Sequence, residues 1–323
     1  MDDDLRSLRE WRAEIPEPGQ EWIIPQRQRM LARIRGRGRT LGRRLLLVGA
    51  LGAATALAVT TLRPEPPTPN PANTPPVVRL DSSVVLARAA EVASRRKGDQ
   101  VPLPTQWHYT KTLDKQPNSD TVRTGEGWMR YDGRQRADFD EDGKIVVSDI
   151  PSDPGDDDLS PQQYDAKLRA LPTDPKKLLV EVTDDRHWID YPKEEGVPKS
   201  AEPDADRAYR VIMLYLSRYG TMPPRLEAAM FRALALIPGV RIEQDVSDAA
   251  GRSGLGIWVE GTDTISRTYR ILDRSTYRYL GSRSVWLRDE FLGGESEPAF
   301  RKGAVWSTAL LSSVIVDRPG QRG

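Results

Sequence analysis

The residues best spaced for chemistry are four aspartates. Asp138, Asp140 and Asp142 alternate ahead of Gly143, and Asp149 stands at the last position of a twelve-residue calcium loop, where glutamate is usual. Oxygen donors at alternate positions suit a hard cation, so the pattern names a candidate calcium site. Its setting points to a hairpin instead. Both flanks read as strands and Asp142-Gly143 is a turn dipeptide. Asp138, Asp140 and Asp142 then share one face, while Asp149 returns along the partner strand and pairs beyond Asp138. The expectation is a solvated acidic hairpin that binds no metal.

Other chemistries have few residues to work with. The chain holds two histidines, His108 and His187, and no cysteine, which removes disulfides, thiol catalysis and zinc–thiolate centres. A Ser-His-Asp triad must use one of those histidines, and neither lies in a nucleophile motif. Gly125-x-Gly127 and Gly251-x-x-Gly254 lack the strand–turn–helix context of a phosphate or dinucleotide loop. Carboxylates are plentiful, yet no pair stands out as a hydrolase's acid and base. No catalytic residue and no cofactor are expected. Residues 1–44 carry eleven arginines against seven acids, +4, so the rest of the chain holds −3 of the overall +1. That balance implies no nucleic-acid partner.

The elements that must position these residues divide around Leu45–Leu62, eighteen residues without a charge or a proline. As a helix this run is about 27 Å long, against a hydrocarbon layer of roughly 30 Å, so a transmembrane helix in contact with the lipid bilayer is expected. Eight arginines between Trp22 and Arg44 put the N-terminus in the cytoplasm and the C-terminal part outside it. Ala56-Leu57-Ala58 has the small-x-small form of a signal-peptide cleavage site, so removal of the anchor is the competing reading. The expected divisions are 1–44, a cytoplasmic arginine-rich helical segment able to dock a protein partner; 45–62, the span; 63–79, a proline-rich linker; and 80–323, the extracytoplasmic domain.

In that last part a helix begins with Ser82 or Ser83 as cap and carries Val85, Arg88, Ala89 and Val92 on one face. Alternation then predicts strands over 106–113, 121–131 and 134–139. Helices follow over 161–171, 175–182, 205–219 and 224–237, with Thr173 or Asp174 capping the second and Pro175 in its first turn. Strands return over 240–246, 256–260, 264–272, 277–287 and 304–316. Strands, inserted helices and strands again predict one α+β domain with a large antiparallel sheet. Trp107 and Trp128 are candidates to line a concave ligand face near the inserted helices, but for each tryptophan taken alone the favoured expectation is packing into the core.

Several motifs together carry a resemblance: Asp3-Asp4-Leu5, Trp107-His108-Tyr109, Leu171-Pro172-Thr173-Asp174-Pro175, Leu236-Ile237-Pro238-Gly239-Val240 and Asp248-Ala249-Ala250-Gly251-Arg252. With them the chain resembles a family of uncharacterised actinobacterial single-pass membrane proteins over nearly its whole length. The resemblance implies no activity and no site residue. Arg274 stands where a proline is expected after Asp273. At fold level the element order is similar to the curved half-barrel of periplasmic lipoprotein carriers and related envelope-stress sensors, which implies fold and not function. The functional expectation is a membrane-anchored binding or sensor-type envelope protein, not an enzyme, whose outer domain takes a lipid or protein ligand. The alternatives are a sigma-factor regulator, a lipid carrier-like protein and an exported hydrolase.

Overall fold

In a computed structural model of the chain, the described residues are 79–117, 121–150, 159–190, 202–217, 222–261, 265–291 and 296–323. The elements run β1 (Arg79–Leu80), α1 (Ser82–Ser94), β2 (Trp107–Lys115), β3 (Val122–Arg130), β4 (Gln135–Phe139) and β5 (Ile145–Asp149). The helices α2 (Pro161–Ala170), α3 (Pro175–Asp184), α4 (Arg186–Asp190), α5 (Asp204–Ser217) and α6 (Pro224–Leu234) follow. A second run of strands completes the order: β6 (Val240–Ser247), β7 (Ser253–Val259), β8 (Ser266–Leu272), β9 (Tyr279–Trp286) and β10 (Val305–Val316).

β2–β5 and β6–β10 are each meanders of antiparallel neighbours, β1 pairs with β6, and the last strand of the second meander joins the first strand of the first. β10 pairs with β2 from Ser307↔Lys115 to Val316↔Trp107, giving one ten-stranded sheet in the order β1-β6-β7-β8-β9-β10-β2-β3-β4-β5. The sheet therefore has two edges, β1 and β5. Three strands break register: β6 between Glu243 and Val246, β9 opposite Ile271 and Leu272, and β10 between Leu310 and Ser312.

Helices cover one face of the second meander. Ile242, Leu255, Ile257, Leu272, Tyr279 and Leu310 join a buried cluster with Leu86, Ala89, Ala90 and Ala93 of α1 and with most of α6. Small residues on α1 let it approach α6 closely. Because side chains alternate, Trp258 beside Ile257 points to the other face, where it meets Val246, Tyr269 and Ile271. The caps follow the local chemistry. Asp81 caps α1 by accepting from the Ser83 and Val84 amides, in place of the expected Ser82 or Ser83, because a carboxylate one residue earlier reaches both free N–H groups. Ser160 and Gln163 form a capping box on α2, and Asp174 with Pro175 starts α3.

One expectation is corrected here. Among the described residues no helix is long and apolar enough to cross a membrane. The longest, α5, has fourteen residues, about 21 Å, and carries four charged residues, Asp204, Asp206, Arg207 and Arg210, in its first two turns. The fold class of the described residues is α+β, a domain with a large antiparallel sheet. The apolar run 45–62, with the segments 1–44 and 63–78 around it, lies outside the described residues.

Of the two readings of the early tryptophans, core packing is the one the structure shows. Trp107 and Trp128 are 7% and 2% exposed and form a small core with Tyr109, Ala137 and Val316. The Trp128 and Tyr109 rings lie 5.2 Å apart, and the Trp128 indole N–H donates to the Gln321 carbonyl at 2.7 Å. The C-terminal residues close over this pair, so it packs the sheet and lines no ligand face.

Candidate functional site

The four aspartates of the calcium pattern sit on the β4–β5 hairpin. Register pairs Asp138 with Val146 and Asp149 with Gln135. Three positions separate Asp138 from Gln135, so Asp149 and Asp138 lie on opposite faces. Each carboxylate has its own work. Asp140 accepts from the Asp142 and Lys144 amides at 3.0 and 2.8 Å, Asp142 faces Lys144, Asp138 faces Arg136, and Asp149 accepts from the Gln135 amide nitrogen. Among the described residues no group of three or more His, Cys, Asp or Glu could hold a metal ion.

His108 and His187 also have assigned neighbours. His108 Nε2 lies 2.7 Å from Ser313 Oγ across the β2–β10 seam, and His187 meets Trp188 edge-on at 4.5 Å. Ser313 is in mid-strand with its backbone in the ladder, without the sharp turn that presents a nucleophilic serine. The Asp248–Arg252 motif is a clamp. Asp248 accepts from the Ala250 and Arg252 amides and from Arg252 Nε, while Arg252 Nη2 donates to the carbonyls of Leu280 and Leu310, each at 2.9 Å. Both carbonyls lie beside the register breaks of β9 and β10. One guanidinium thus satisfies acceptors that the two bulges withdraw from the ladder.

The concavity with the clearest construction lies between α1, the β6–β7 end of the sheet and the turn joining β8 to β9. It encloses about 400 Å³. Its floor is Leu80, Val85, Val92 and Leu255, and Arg88, Arg274 and Tyr277 stand around it. The spacing of Val85, Arg88 and Val92 makes a stripe beside the core stripe of α1, so the helix serves the core with one side and the groove with the next. Ser82 Oγ donates to the Val240 carbonyl at 3.1 Å and fixes the start of that helix on the sheet.

The far wall is a turn organised by Asp273. Its Oδ1 accepts from the amide and hydroxyl of both Ser275 and Thr276, at 2.7–2.9 Å. Burial pushes the Asp273 carboxyl up, but these four hydrogen bonds outweigh it and hold the group at about 2. Tyr277 follows with φ +55°, and Asp245 in the β6 bulge has φ +61°. They are the two left-handed residues other than glycine among those described. Such a conformation costs a side-chain-bearing residue on the order of 1–3 kcal/mol and persists only where the surroundings enforce it.

The enforcing contacts can be named. Arg274 pairs with Asp245, and its Nη2 also donates to Ser253 Oγ at 3.0 Å, which ties the turn to the bulge and holds the Asp245 carboxyl below the usual carboxylate range. Arg96, just past α1, donates to the Thr276 carbonyl and pairs with buried Glu227 of α6. The turn is therefore held from both sides of the groove. Arg88 is exposed and has no ion-pair partner among the described residues. A proline at 274 would remove the clasp to Asp245. Nothing local in the sequence marks Tyr277 or Asp245 as left-handed.

A second cleft of about 550 Å³ lies at the meeting of α1, α2 and α6, with Arg96, Arg169 and Arg225 in its wall. Two of these cations are spent internally. Arg96 pairs with Glu227, and Arg169 pairs with both Asp165 and Asp99. No family model, no curated protein and no solved structure matches the chain.

Proposed function

We propose that this domain binds an amphipathic ligand, an acyl chain or similar apolar group with an anionic head, in the groove between α1 and the β8–β9 turn. One observation carries the reading: left-handed Tyr277, in a turn held by Arg96 and clasped through Arg274 to left-handed Asp245, borders an apolar floor beside Arg88, whose guanidinium has no ion-pair partner among the described residues. Strain held in position by dedicated contacts is a feature of ligand clamps. The floor supplies contact to a chain, and Arg88 supplies charge to a carboxylate or phosphate. The activity is binding, without covalent chemistry. A site of action outside the cytoplasm, and kinship with the resembled actinobacterial family, belong to the same proposal; the arginine-rich segment before residue 45 and the shared motifs support them.

The test is titration of the full chain with a dansylated undecanoic acid. Saturable enhancement of dansyl emission is expected, reversed by oleate. Val92→Asp should abolish it, because a carboxylate would then occupy the floor. Arg88→Glu should weaken it by about tenfold, the loss of one exposed charge-assisted contact. Absence of saturable enhancement, or enhancement indifferent to both substitutions, would overturn the proposal.

A further inference from the structure

The edge strand β5 is unusual for an open sheet. Natural edges are blunted by proline, charge or bulges, because an unpaired strand is a template for another. Within Ile145-Val146-Val147-Ser148-Asp149 there is no proline and no break of register, and charge stands only at the ends, Asp149 in the strand and Lys144 just before it. Ile145, Val146 and Val147 are 38%, 46% and 48% exposed.

Register decides which backbone groups are open. The Asp140 amide donates to the Lys144 carbonyl and the Ile150 amide to the Arg134 carbonyl. In an antiparallel pair bonded residues alternate, so Lys144, Val146, Ser148 and Ile150 use their backbone groups on β4. The N–H and C=O groups of Ile145, Val147 and Asp149 point out from the sheet.

We infer that β5 pairs antiparallel with β5 of a second copy of this chain, about a two-fold axis through Val147. The three outward residues are symmetric about that position, so this register pairs Val147 with Val147 and Ile145 with Asp149 on either side, satisfying all six outward groups of each copy. Shifting the axis to Val146 leaves Asp149 opposite the Gly143 turn. Shifting it to Ser148 sets Ile145 opposite Pro151, which has no N–H. Charge agrees with the central register. Asp149 meets Ile145 and Lys144 meets Ile150, so no like charges oppose each other. The pairing makes one continuous twenty-stranded sheet from two copies. Five residues a side form a small contact, so the association is reversible and depends on concentration.

Sedimentation equilibrium of the full chain over a range of concentrations should show a reversible monomer–dimer equilibrium. Val147→Pro should weaken it about tenfold or more, since the outward N–H is lost while the β4 bonds are kept. Because the chain has no cysteine, Val147→Cys introduces a single thiol, and this variant keeps the proposal testable even where the proline disturbs the hairpin. A short bismaleimide should convert it to covalent dimer, while Val180→Cys, at a more exposed position on α3, stays monomeric. Equal cross-linking of the two cysteine variants, a dimer untouched by Val147→Pro, or a monomer at every concentration would overturn the self-pairing. Capture of an added extended peptide at β5 by a monomeric chain would overturn it too and give the edge a different occupant.

Discussion

Two residues hold more of this molecule than their positions in the sequence suggest. Arg252 reaches from a hairpin loop to carbonyls on two other strands, so its removal leaves two acceptors without a partner. Arg252→Ala should lower stability by about 1–3 kcal/mol, seen as a lower urea midpoint at unchanged slope. Arg252→Lys should recover less than half, because one ammonium cannot serve Asp248, Leu280 and Leu310 in that geometry. Asp273 gives a pH signature. Its folded pKa is depressed from 3.8 to about 2, so its stabilisation is complete above the unfolded value and is lost as pH falls from about 4 toward 2. The melting temperature of the wild type should exceed that of Asp273→Asn at neutral pH, and the gap should close across that acid window. A gap constant down to pH 2 would remove Asp273 as the organiser of the groove's turn. Neither role could be seen in the sequence: Asp248-Ala249-Ala250-Gly251-Arg252 read as a motif without a mechanism, and a left-handed tyrosine carries no glycine to announce it.

At the scale of elements, local rules carried most of what they address. Alternation and turn dipeptides located the β2–β5 meander, and helical spacing found the inserted helices. For α1 the pattern merged two stripes: Ala89 belongs to the core, whereas Val85, Arg88 and Val92 line the groove, and periodicity alone does not separate adjacent sides of one helix. The β4–β5 hairpin makes its own prediction. Its acids sit on two faces and already serve the turn and neighbouring side chains, so millimolar calcium should leave the melting temperature unchanged. A rise of several degrees that disappears in Asp140→Asn would show that the hairpin rearranges around the ion.

At the scale of the whole molecule, an α+β sheet was legible, while the pairing of β10 with β2 was not. Local composition carries no address for a partner about two hundred residues away, and the amphipathic character of Trp107 and Trp128 fitted a ligand face as well as a core. The groove was illegible for the same reason, since α1, the β6 bulge and the β8–β9 turn meet only in three dimensions. The central seam has a consequence in time. β10 lies between β9 and β2, so the sheet stays in two pieces until residues 305–316 have been synthesised. While translation continues, the first meander waits with the inner edge of β2 bare. This domain therefore cannot be completed progressively from its N-terminal side, and its closure is a late, long-range and correspondingly slow step.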